Sequence, residues 1–437
     1  MVDKSALIDE LLTLPEGYIS KKEIHGKVYF YHQYKEKGKL KSVYLNNSSL
    51  AELEAKLARR KEILSLLKKL HSSSKSVGKL SKAAREFDGY LMAGDKKIAT
   101  FDRGTLVEMD EKLVPFIVKN SHSISEFLSL RVIDNSRTNA RLLLKALGIK
   151  DKEDELISLY AHGASIGDNY WFKPKHSKLT YKDINFDNDI YSDLSLSGKL
   201  ILLPGKIHLS PDLNTRGSLE KGWKKIGTHW WLYKAESPNQ AYSELCAYQT
   251  AKLIGMPTAE YGYDHPYVKS LNFAERANFE PIFGYLGNND DYSFVFDKIM
   301  PLGKDIAKQY LKLIIFDCLI ANVDRHNENY GLMRDRRSGK VISLSPNFDN
   351  NLCLFGYTDR LNTNPSGDGL IKELKRFLKN NVAASELIKT ISLPQIEENQ
   401  LRDAIRLVPN NTQEKENEVV TFILGRLAYI KDLIQKL

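Results

Sequence analysis

The sequence predicts an α+β protein with two lobes, one rich in β-strands and one helical, preceded by an amino-terminal β-meander and helix. Three observations predict this organisation. Short β-prone runs separated by glycine turns recur through residues 18–300. Apolar residues at helical spacing dominate from residue 301 onward. The hydroxyl-rich stretch His71–Ser76 has the composition of a linker and separates the first segment from the rest.

The composition is that of a folded protein, with 42% hydrophobic and 10% aromatic residues in a chain of 437. A chain of this length predicts two or three domains. The longest apolar run is interrupted by Lys312 and Asp317, so it predicts no membrane span. The amino terminus lacks the pattern of a secretory signal, and we expect a cytoplasmic protein. Cys246, Cys318 and Cys353 are widely spaced, which favours buried thiols over a disulfide or a metal site.

The net charge of +9 is concentrated at the amino-terminal end, where residues 1–90 contain 18 Lys+Arg against 11 Asp+Glu. We expect a helix over Ala6–Leu14, a three-stranded meander with turns at His25–Lys27 and Lys37–Lys39, and a helix that begins at Ser49. Lysines interleaved with aromatic residues are compatible with nucleic-acid binding. Strands with tyrosine on one face usually pack on their own helix, however, so the composition favours a solvated charged face.

The chain divides into four segments, and the second carries no recognisable chemistry. We expect it to hold a hairpin that turns at Gly94, and loops with short strands at Trp171–Pro174 and Tyr181–Asp183. Its expected helices are Ser123–Arg131, Asn139–Leu147 and Lys152–Tyr160. The four segments are the basic meander and helix (1–80), the intermediate hairpin and helices (81–205), the β-rich lobe (206–300) and the helical lobe (301–437).

The most informative stretch is the loop Asp324–Asn329, which is followed about twenty residues later by Phe348–Asn350. Asp324 and Asn329 stand five residues apart, the spacing at which kinases place a base for the substrate hydroxyl and a carboxamide for magnesium. A predicted hairpin between the two stretches returns Asp349 beside Asn329 as a second metal ligand. The pattern therefore indicates phosphoryl transfer. The loop by itself also suits a polar turn that caps a helix.

Upstream residues supply the remaining parts of such a site. Gly217 and Ser218 lie in a loop before a strand, where backbone amides could approach phosphates. Lys234 ends that strand, and because a buried ammonium is costly it needs a partner. Glu244 on the following helix is the expected partner, whereas Glu236 follows Lys234 too closely in the chain. The alternative is a lysine exposed at a strand end.

The β-prone run Tyr292–Met300 predicts a strand that joins the two lobes and offers backbone groups to an adenine base. A strand of this composition also suits a buried core. A long helix over Lys304–Ala321 should follow and support the Asp324 loop. The expected carboxy-terminal helices are Leu370–Asn380, Ala383–Thr390, Gln395–Leu407 and Glu416–Leu437.

Residues Leu209–Asn380 resemble HipA-like serine/threonine kinases, the toxin kinases of bacterial toxin–antitoxin modules. The resemblance rests on the residues around Gly217–Lys221, on Lys234 and on the motifs Asp324–Asn329 and Phe348–Asn350. It implies a two-lobed protein-kinase-like fold that uses ATP and Mg²⁺. It also implies a DNA-binding antitoxin as a partner. The first 80 residues lie outside the resemblance.

The resemblance implies a role for each matching residue. Asp324 would be the catalytic base, Asn329 and Asp349 would ligate magnesium, and Lys234 would hold the ATP phosphates. His326 is expected to support the loop, and Phe296 to Lys298 would approximate the adenine hinge. Family members often carry a regulatory serine in the phosphate loop. Here that position is taken by Asn214, and the hydroxyls nearby belong to Thr215 and Ser218.

Three functions are compatible with these residues. The first is an ATP- and Mg²⁺-dependent serine/threonine kinase that acts on a cytosolic protein. The second is a lipid or small-molecule kinase, because the Asp324 motif also resembles the catalytic loop of phosphoinositide kinases. The third is a catalytically silent scaffold that binds nucleic acid through residues 1–80. Suitable side chains at every phosphate and metal position favour the first.

Overall fold

The computed structural model describes residues 14–15, 18–24, 27–36, 39–46, 49–60, 86–150, 153–199, 209–393 and 395–437. The chain forms two compact units, Met1–Lys79 and Leu80–Leu437. The helix expected from Ala6 and the linker expected at His71–Ser76 fall outside the described residues.

The first unit contains the expected three-stranded antiparallel meander. Its strands are β1 (Tyr18–Ile24), β2 (Lys27–Glu36) and β3 (Lys39–Leu45), in the order β1–β2–β3. Helix α1 covers residues 49–60. Asn46 caps this helix, because its side-chain oxygen accepts the backbone N–H of Ser49 at 2.9 Å. The sequence predicted that this helix begins at Ser49, whereas the capping residue is Asn46, three residues earlier.

The second unit contains three antiparallel sheets, ordered β6–β5–β4–β7, β10–β11–β9–β8 and β12–β13–β14. The hairpin expected at Gly94 is present, and this glycine has a φ of 58°. The strands are β4 (Gly89–Ala93), β5 (Lys96–Asp102), β6 (Thr105–Met109), β7 (Tyr170–Pro174), β8 (Lys221–Ile226), β9 (His229–Lys234), β10 (Tyr261–Asp264), β11 (Tyr267–Leu271), β12 (Ala277–Pro281), β13 (Gly331–Asp335) and β14 (Val341–Leu344).

Helices pack on these sheets and fill the carboxy-terminal lobe. Most begin and end within a few residues of the predicted bounds. The helices are α2 (Phe116–Ser121), α3 (Ile124–Ser129), α4 (Thr138–Ala146), α5 (Asp154–Tyr160), α6 (Tyr181–Ile184), α7 (Ser192–Ser197), α8 (Pro238–Leu253), α9 (Ile282–Leu286), α10 (Tyr292–Ile299), α11 (Lys304–Ile320), α12 (Gly369–Asn380), α13 (Val382–Lys389), α14 (Glu398–Arg406) and α15 (Gln413–Gln435).

Helix α11 is buried on nearly all sides and contributes to two hydrophobic cores. Phe316 and Ile320 pack in the core formed with α8 and α14, whereas Leu311 and Ile314 pack in the core formed with α10 and α12. The helix ends at Ala321, which has a left-handed φ of 53°. The loop that follows therefore starts from a support that is fixed on both sides.

The strand predicted over Tyr292–Met300 is wrong, because these residues form helix α10. The Asp291 side chain accepts the N–H of Phe294 at 2.9 Å and caps this helix. The cap and the helical spacing of the apolar residues outweigh the β propensity of the aromatic side chains. The loop expected at Tyr181–Asp183 is likewise a single helical turn, which Thr180 and Asp183 close with a capping box.

The three cysteines are free and buried, as expected from their spacing. Among the helices of the described part of the chain, none is long and apolar enough to cross a membrane.

We predict that Phe296→Ala lowers the free energy of unfolding by about 3–5 kcal/mol, because it opens a cavity in the helical core. Phe296 is fully buried, and its ring lies 5.9 Å from that of Phe377. Chemical denaturation of the variant would measure the loss. Lys298→Ala, two residues away on an exposed position of α10, serves as the control and should change stability little. An unfolding free energy unchanged by Phe296→Ala would contradict the core assignment.

Candidate functional site

A cavity of about 410 Å³ lies between the β8–β11 sheet and the loop that follows α11. Most of the residues predicted from the sequence meet in its wall. They are Gly217, Ser218, Lys234, Asp324, His326, Asn329 and Asp349. Glu244 stands behind the wall, fully buried, beside Lys234.

Phe296 and Lys298 do not line this cavity, so their predicted place near an adenine base is not supported. The segment that lines it instead is Ser270–Phe273, where β11 ends and the chain turns toward β12. The backbone N–H of Asn272 donates to Trp230 O at 2.9 Å and holds this segment against the sheet. The sequence feature that could have identified this segment is the β-prone run that ends at Leu271.

Lys234 ends β9 and is surrounded by three carboxylates. Its Nζ lies 2.6 Å from Asp349, 3.5 Å from Glu244 and 3.7 Å from Glu236. Burial alone lowers the pKa of Lys234, but the carboxylates, Asp349 first, hold that pKa well above its ordinary value. The expected Lys234–Glu244 pair is present. Glu236 was expected to follow Lys234 too closely in the chain to be a partner. That expectation was wrong, because the chain after β9 places the Glu236 carboxylate near the Lys234 ammonium.

Asp349 has an unusual backbone conformation, with a φ of 58°, and its N–H donates to the Tyr261 hydroxyl at 3.0 Å. Burial alone raises the pKa of Asp349, but the ammonium groups of Lys234 and then Lys221 hold it below its ordinary range. The carboxylate is therefore ionised at neutral pH and suited to bind a cation.

Arg325 is a largely buried residue to which the sequence alone assigned no role. Its guanidinium donates to Asp317 Oδ1 on α11 at 2.9 Å and to the carbonyl oxygens of Asn329 at 2.8 Å and Phe348 at 2.7 Å. It also donates to Asn350 Oδ1 at 2.7 Å. One side chain therefore ties the supporting helix to both acidic motifs.

The loop from Asp324 to Asn329 is further held by its own polar groups. The Asn329 Nδ2 donates to Asp324 O at 3.0 Å, and the Asp324 N–H donates to Asn322 Oδ1 at 3.2 Å. His326 Nδ1 accepts the N–H of Glu328 at 3.3 Å. The last contact supports the structural role predicted for His326.

Lys221 is a second buried lysine in the cavity wall, which the sequence analysis did not single out. It stands directly opposite Lys234 in the β8–β9 ladder, where like charges destabilise the pair. Gly217 has a left-handed φ of 100°, which favours glycine, and a Cβ atom built on it would meet the Lys221 ammonium unless that side chain moved. Burial first, and then Lys234, lower the pKa of Lys221 to about 7 although Asp349 raises it. Two adjacent buried ammonium groups point to an anionic ligand.

The loop before β8 is held from both sides. Arg137 donates through Nε to Gly217 O at 2.7 Å, and Arg216 pairs with Glu328 of the opposite loop at 2.7 Å. Ser218 is exposed at the cavity wall. The hydroxyl of Thr215 lies inward, where it donates to Pro211 O at 2.8 Å and accepts from Trp223.

Asn214 takes the position at which the resemblance places a regulatory serine. It is buried, and its Nδ2 donates to Ala164 O at 2.7 Å. The carboxamide therefore anchors the start of the loop to the segment that precedes β7.

The donor set of the cavity fits a divalent cation such as Mg²⁺. Oxygen atoms of Glu236, Glu244 and Asp349 lie within 4.8 Å of one another. Glu236 Oε2 is buried and accepts no hydrogen bond from the described residues, and burial raises the pKa of this carboxyl to about 8. Carboxylate and amide oxygens are the ligands that magnesium prefers. Asp349 belongs to this cluster and lines the cavity, and Asn329 lines the same cavity.

Solved structures resemble this fold, although sequence identity to them is low. The HipA protein of Shewanella oneidensis, determined with HipB and operator DNA, matches with a TM-score of 0.51 and 16% identity over 79% of this chain and 97% of its own. The proinflammatory kinase CtkA of Helicobacter pylori matches with a TM-score of 0.41 and 19% identity over 49% of this chain and 93% of its own. The likeness to HipA shows that the two proteins share a fold.

Sequence comparison is less informative. Residues 3–55 match a family described as a domain of unknown function, DUF6788. No curated protein matches the chain.

We predict that Lys221→Met stabilises the ligand-free protein by about 1–3 kcal/mol near pH 6, because it removes an uncompensated buried charge. In the unfolded chain Lys221 keeps its proton up to its ordinary pKa of 10.5, whereas the folded protein releases it above about 7. The free energy of unfolding of the wild type therefore rises between about pH 7 and pH 10.5, and the difference in stability between the variant and the wild type becomes smaller over that range. Thermal denaturation at several pH values would measure both effects.

The exposed Lys225 on the same strand provides the control, since Lys225→Met should alter stability little at any of these pH values. Destabilisation by Lys221→Met near pH 6 would contradict the assignment of an uncompensated ammonium.

Proposed function

We propose that this protein is an ATP- and Mg²⁺-dependent serine/threonine protein kinase of the HipA-like type. The observation that carries the proposal is the buried contact of Lys234 with Asp349 and Glu244, across one cavity from Asp324 and Asn329. These five side chains supply the groups that phosphoryl transfer requires.

In the proposed reaction, the acceptor hydroxyl of a serine or threonine attacks the γ-phosphorus of ATP. The Asp324 carboxylate accepts the hydroxyl proton as the new O–P bond forms. The bond between the γ-phosphorus and the bridging oxygen breaks, and ADP leaves with the electron pair. Asp324 suits this role because its loop is held at the cavity wall by Arg325 and Asn329.

The two buried lysines would neutralise the phosphates of ATP. Lys234 exchanges its contact with Asp349 for a phosphate oxygen and keeps Glu244 as its partner. Lys221, directly opposite, offers a second ammonium to the same phosphates. A bound Mg²⁺ would neutralise charge on the transferred group. Asn329 and Asp349 would be its ligands.

The adenine base would lie against the apolar part of the cavity. Leu232, two residues before Lys234 on β9, lines this part together with Leu271 and Phe273. The rings of Phe273 and Phe348 lie 5.3 Å apart and close the inner end.

HipA crystallised with HipB and operator DNA, which supports the proposal that this kinase also has a DNA-binding antitoxin as a partner. A toxin or regulatory kinase of this kind would act on a cytosolic protein.

We predict that Asp324→Asn lowers the rate of phosphoryl transfer about 10²–10⁴-fold, because the variant has no base for the acceptor proton. Incubation with radiolabelled ATP and a cell lysate, followed by phosphoamino-acid analysis, would measure the transfer. Asp349→Asn should fail in the same assay, since it removes a metal ligand. Asp359→Asn, on an exposed carboxylate, should label like the wild type.

Two outcomes would contradict the proposal. Equal labelling by wild type and both active-site variants would remove the catalytic assignment. Label that partitions into the lipid or small-molecule extract, and is absent from serine and threonine, would replace the protein acceptor with another.

We predict that Leu232→Trp weakens ATP binding about tenfold or more, because the indole occupies part of a cavity of about 410 Å³. Lys298→Ala is the control and should leave ATP affinity unchanged, since this residue lies outside the cavity. Isothermal titration calorimetry would measure both. Weaker ATP binding by Lys298→Ala, together with unchanged binding by Leu232→Trp, would instead favour an adenine site at Phe296 to Lys298.

A further inference from the structure

The first unit carries most of the net charge of the protein. Residues 1–79 contain 16 Lys+Arg against 9 Asp+Glu, a net charge of +7, whereas residues 80–437 carry only +2. A small unit with this excess attracts polyanions at long range. The charge by itself does not distinguish a nucleic acid from other anionic partners.

One face of the meander presents tyrosine side chains. Residues directly opposite each other in an antiparallel sheet share a face, and the register pairs Tyr31 with Tyr44 and Tyr18 with Gln33. Tyr29 lies two residues before Tyr31 and therefore on the same face. The Tyr44 ring lies 6.1 Å from that of Tyr29 and 5.8 Å from that of Tyr31. Tyr18, Tyr29, Tyr31 and Tyr44 therefore share one face of the sheet, which we call the tyrosine face, and three of the four rings form a contiguous group centred on Tyr44.

The tyrosine face is open to solvent at Tyr18 and Tyr44, whereas Tyr29 and Tyr31 are half-buried. Tyr18 is 56% exposed and Tyr44 is 57% exposed. Tyrosines on a sheet usually pack against a helix of their own domain, and exposures this high show that these two do not. Large aromatic groups on an exposed surface mark an interaction site.

The chemistry of this face suits unpaired bases. Aromatic side chains on an open sheet stack on bases that are splayed out of a duplex, and stacked duplex bases cannot offer their faces in this way. Gln33 and Ser42 form the next row of the same face and can reach base edges. The Tyr18 hydroxyl donates to Gln33 Oε1 at 2.5 Å, which orients that ring.

We propose that the tyrosine face of the first unit binds single-stranded nucleic acid, with bases stacked on Tyr18 and Tyr44 and the phosphates attracted by the basic unit. This activity is separate from the proposed phosphoryl transfer. It gives the protein a nucleic-acid ligand that it contacts directly, without an antitoxin.

The test uses the full chain and a fluorescein-labelled single strand of about 16 nucleotides, in DNA and RNA versions, with binding followed by fluorescence anisotropy. We expect binding at about 50 mM salt that weakens steeply toward about 200 mM, since cations are released from the strand. Tyr44→Ala should weaken binding about tenfold or more through lost stacking. Tyr44→Phe, which keeps the aromatic ring, should retain it.

Val43→Ala is the matched control, because Val43 is 50% exposed on the same strand and points to the opposite face. It should bind like the wild type. Circular dichroism would establish that all variants are folded, and lysate labelling with ATP should be equal among them. Tighter binding of the DNA or of the RNA version supports the proposal and identifies the sugar that is recognised.

Three results would overturn the proposal. They are the absence of binding at low salt, tighter binding of a duplex of the same sequence, and equal weakening by Tyr44→Ala and Val43→Ala. None of these results bears on phosphoryl transfer, which depends on the second unit.

Discussion

The buried ammonium of Lys234 is the interaction on which the cavity depends. An isolated charge in a protein interior is strongly destabilising, and here three carboxylates, Asp349, Glu244 and Glu236, compensate it. These residues come from β9, from the turn after it, from α8 and from the segment after β14. The β-rich and helical parts must therefore meet correctly for the charge to be stable. The same arrangement leaves an ionised carboxylate and an ammonium facing the cavity.

Arg325 is a second, largely buried cation, and it holds together the helical side of the cavity. It connects Asp317 of α11 to the carbonyl oxygens of Asn329 and Phe348. Because α11 packs in two cores, the loop that carries Asp324 has little freedom to move. The cavity is thus built from fixed charges, with three carboxylates beside Lys234 and the buried Lys221 directly opposite it in the sheet.

The two units differ in how they would contact their ligands. The second unit has a cavity lined by buried charge, which would enclose an anionic ligand. The first unit presents an open sheet whose tyrosine rings are exposed and whose charge acts over distance. Its match to DUF6788 covers residues 3–55 and the likeness to HipA indicates only the fold, so neither comparison describes what this sheet binds.

The sequence by itself determined the features that depend on neighbours in the chain. The spacing of Asp324 and Asn329, the hairpin that returns Asp349, the meander and most helices all follow from local turn chemistry and apolar periodicity. Tertiary structure decided the rest. Helix α10 replaced a predicted strand because its apolar side packs into the helical core, and Ser270–Phe273 therefore lines the cavity where Phe296 and Lys298 were expected. The roles of Lys221 and Arg325 also emerged only from the structure, because burial and the partners of a charge are set by segments far away in the sequence.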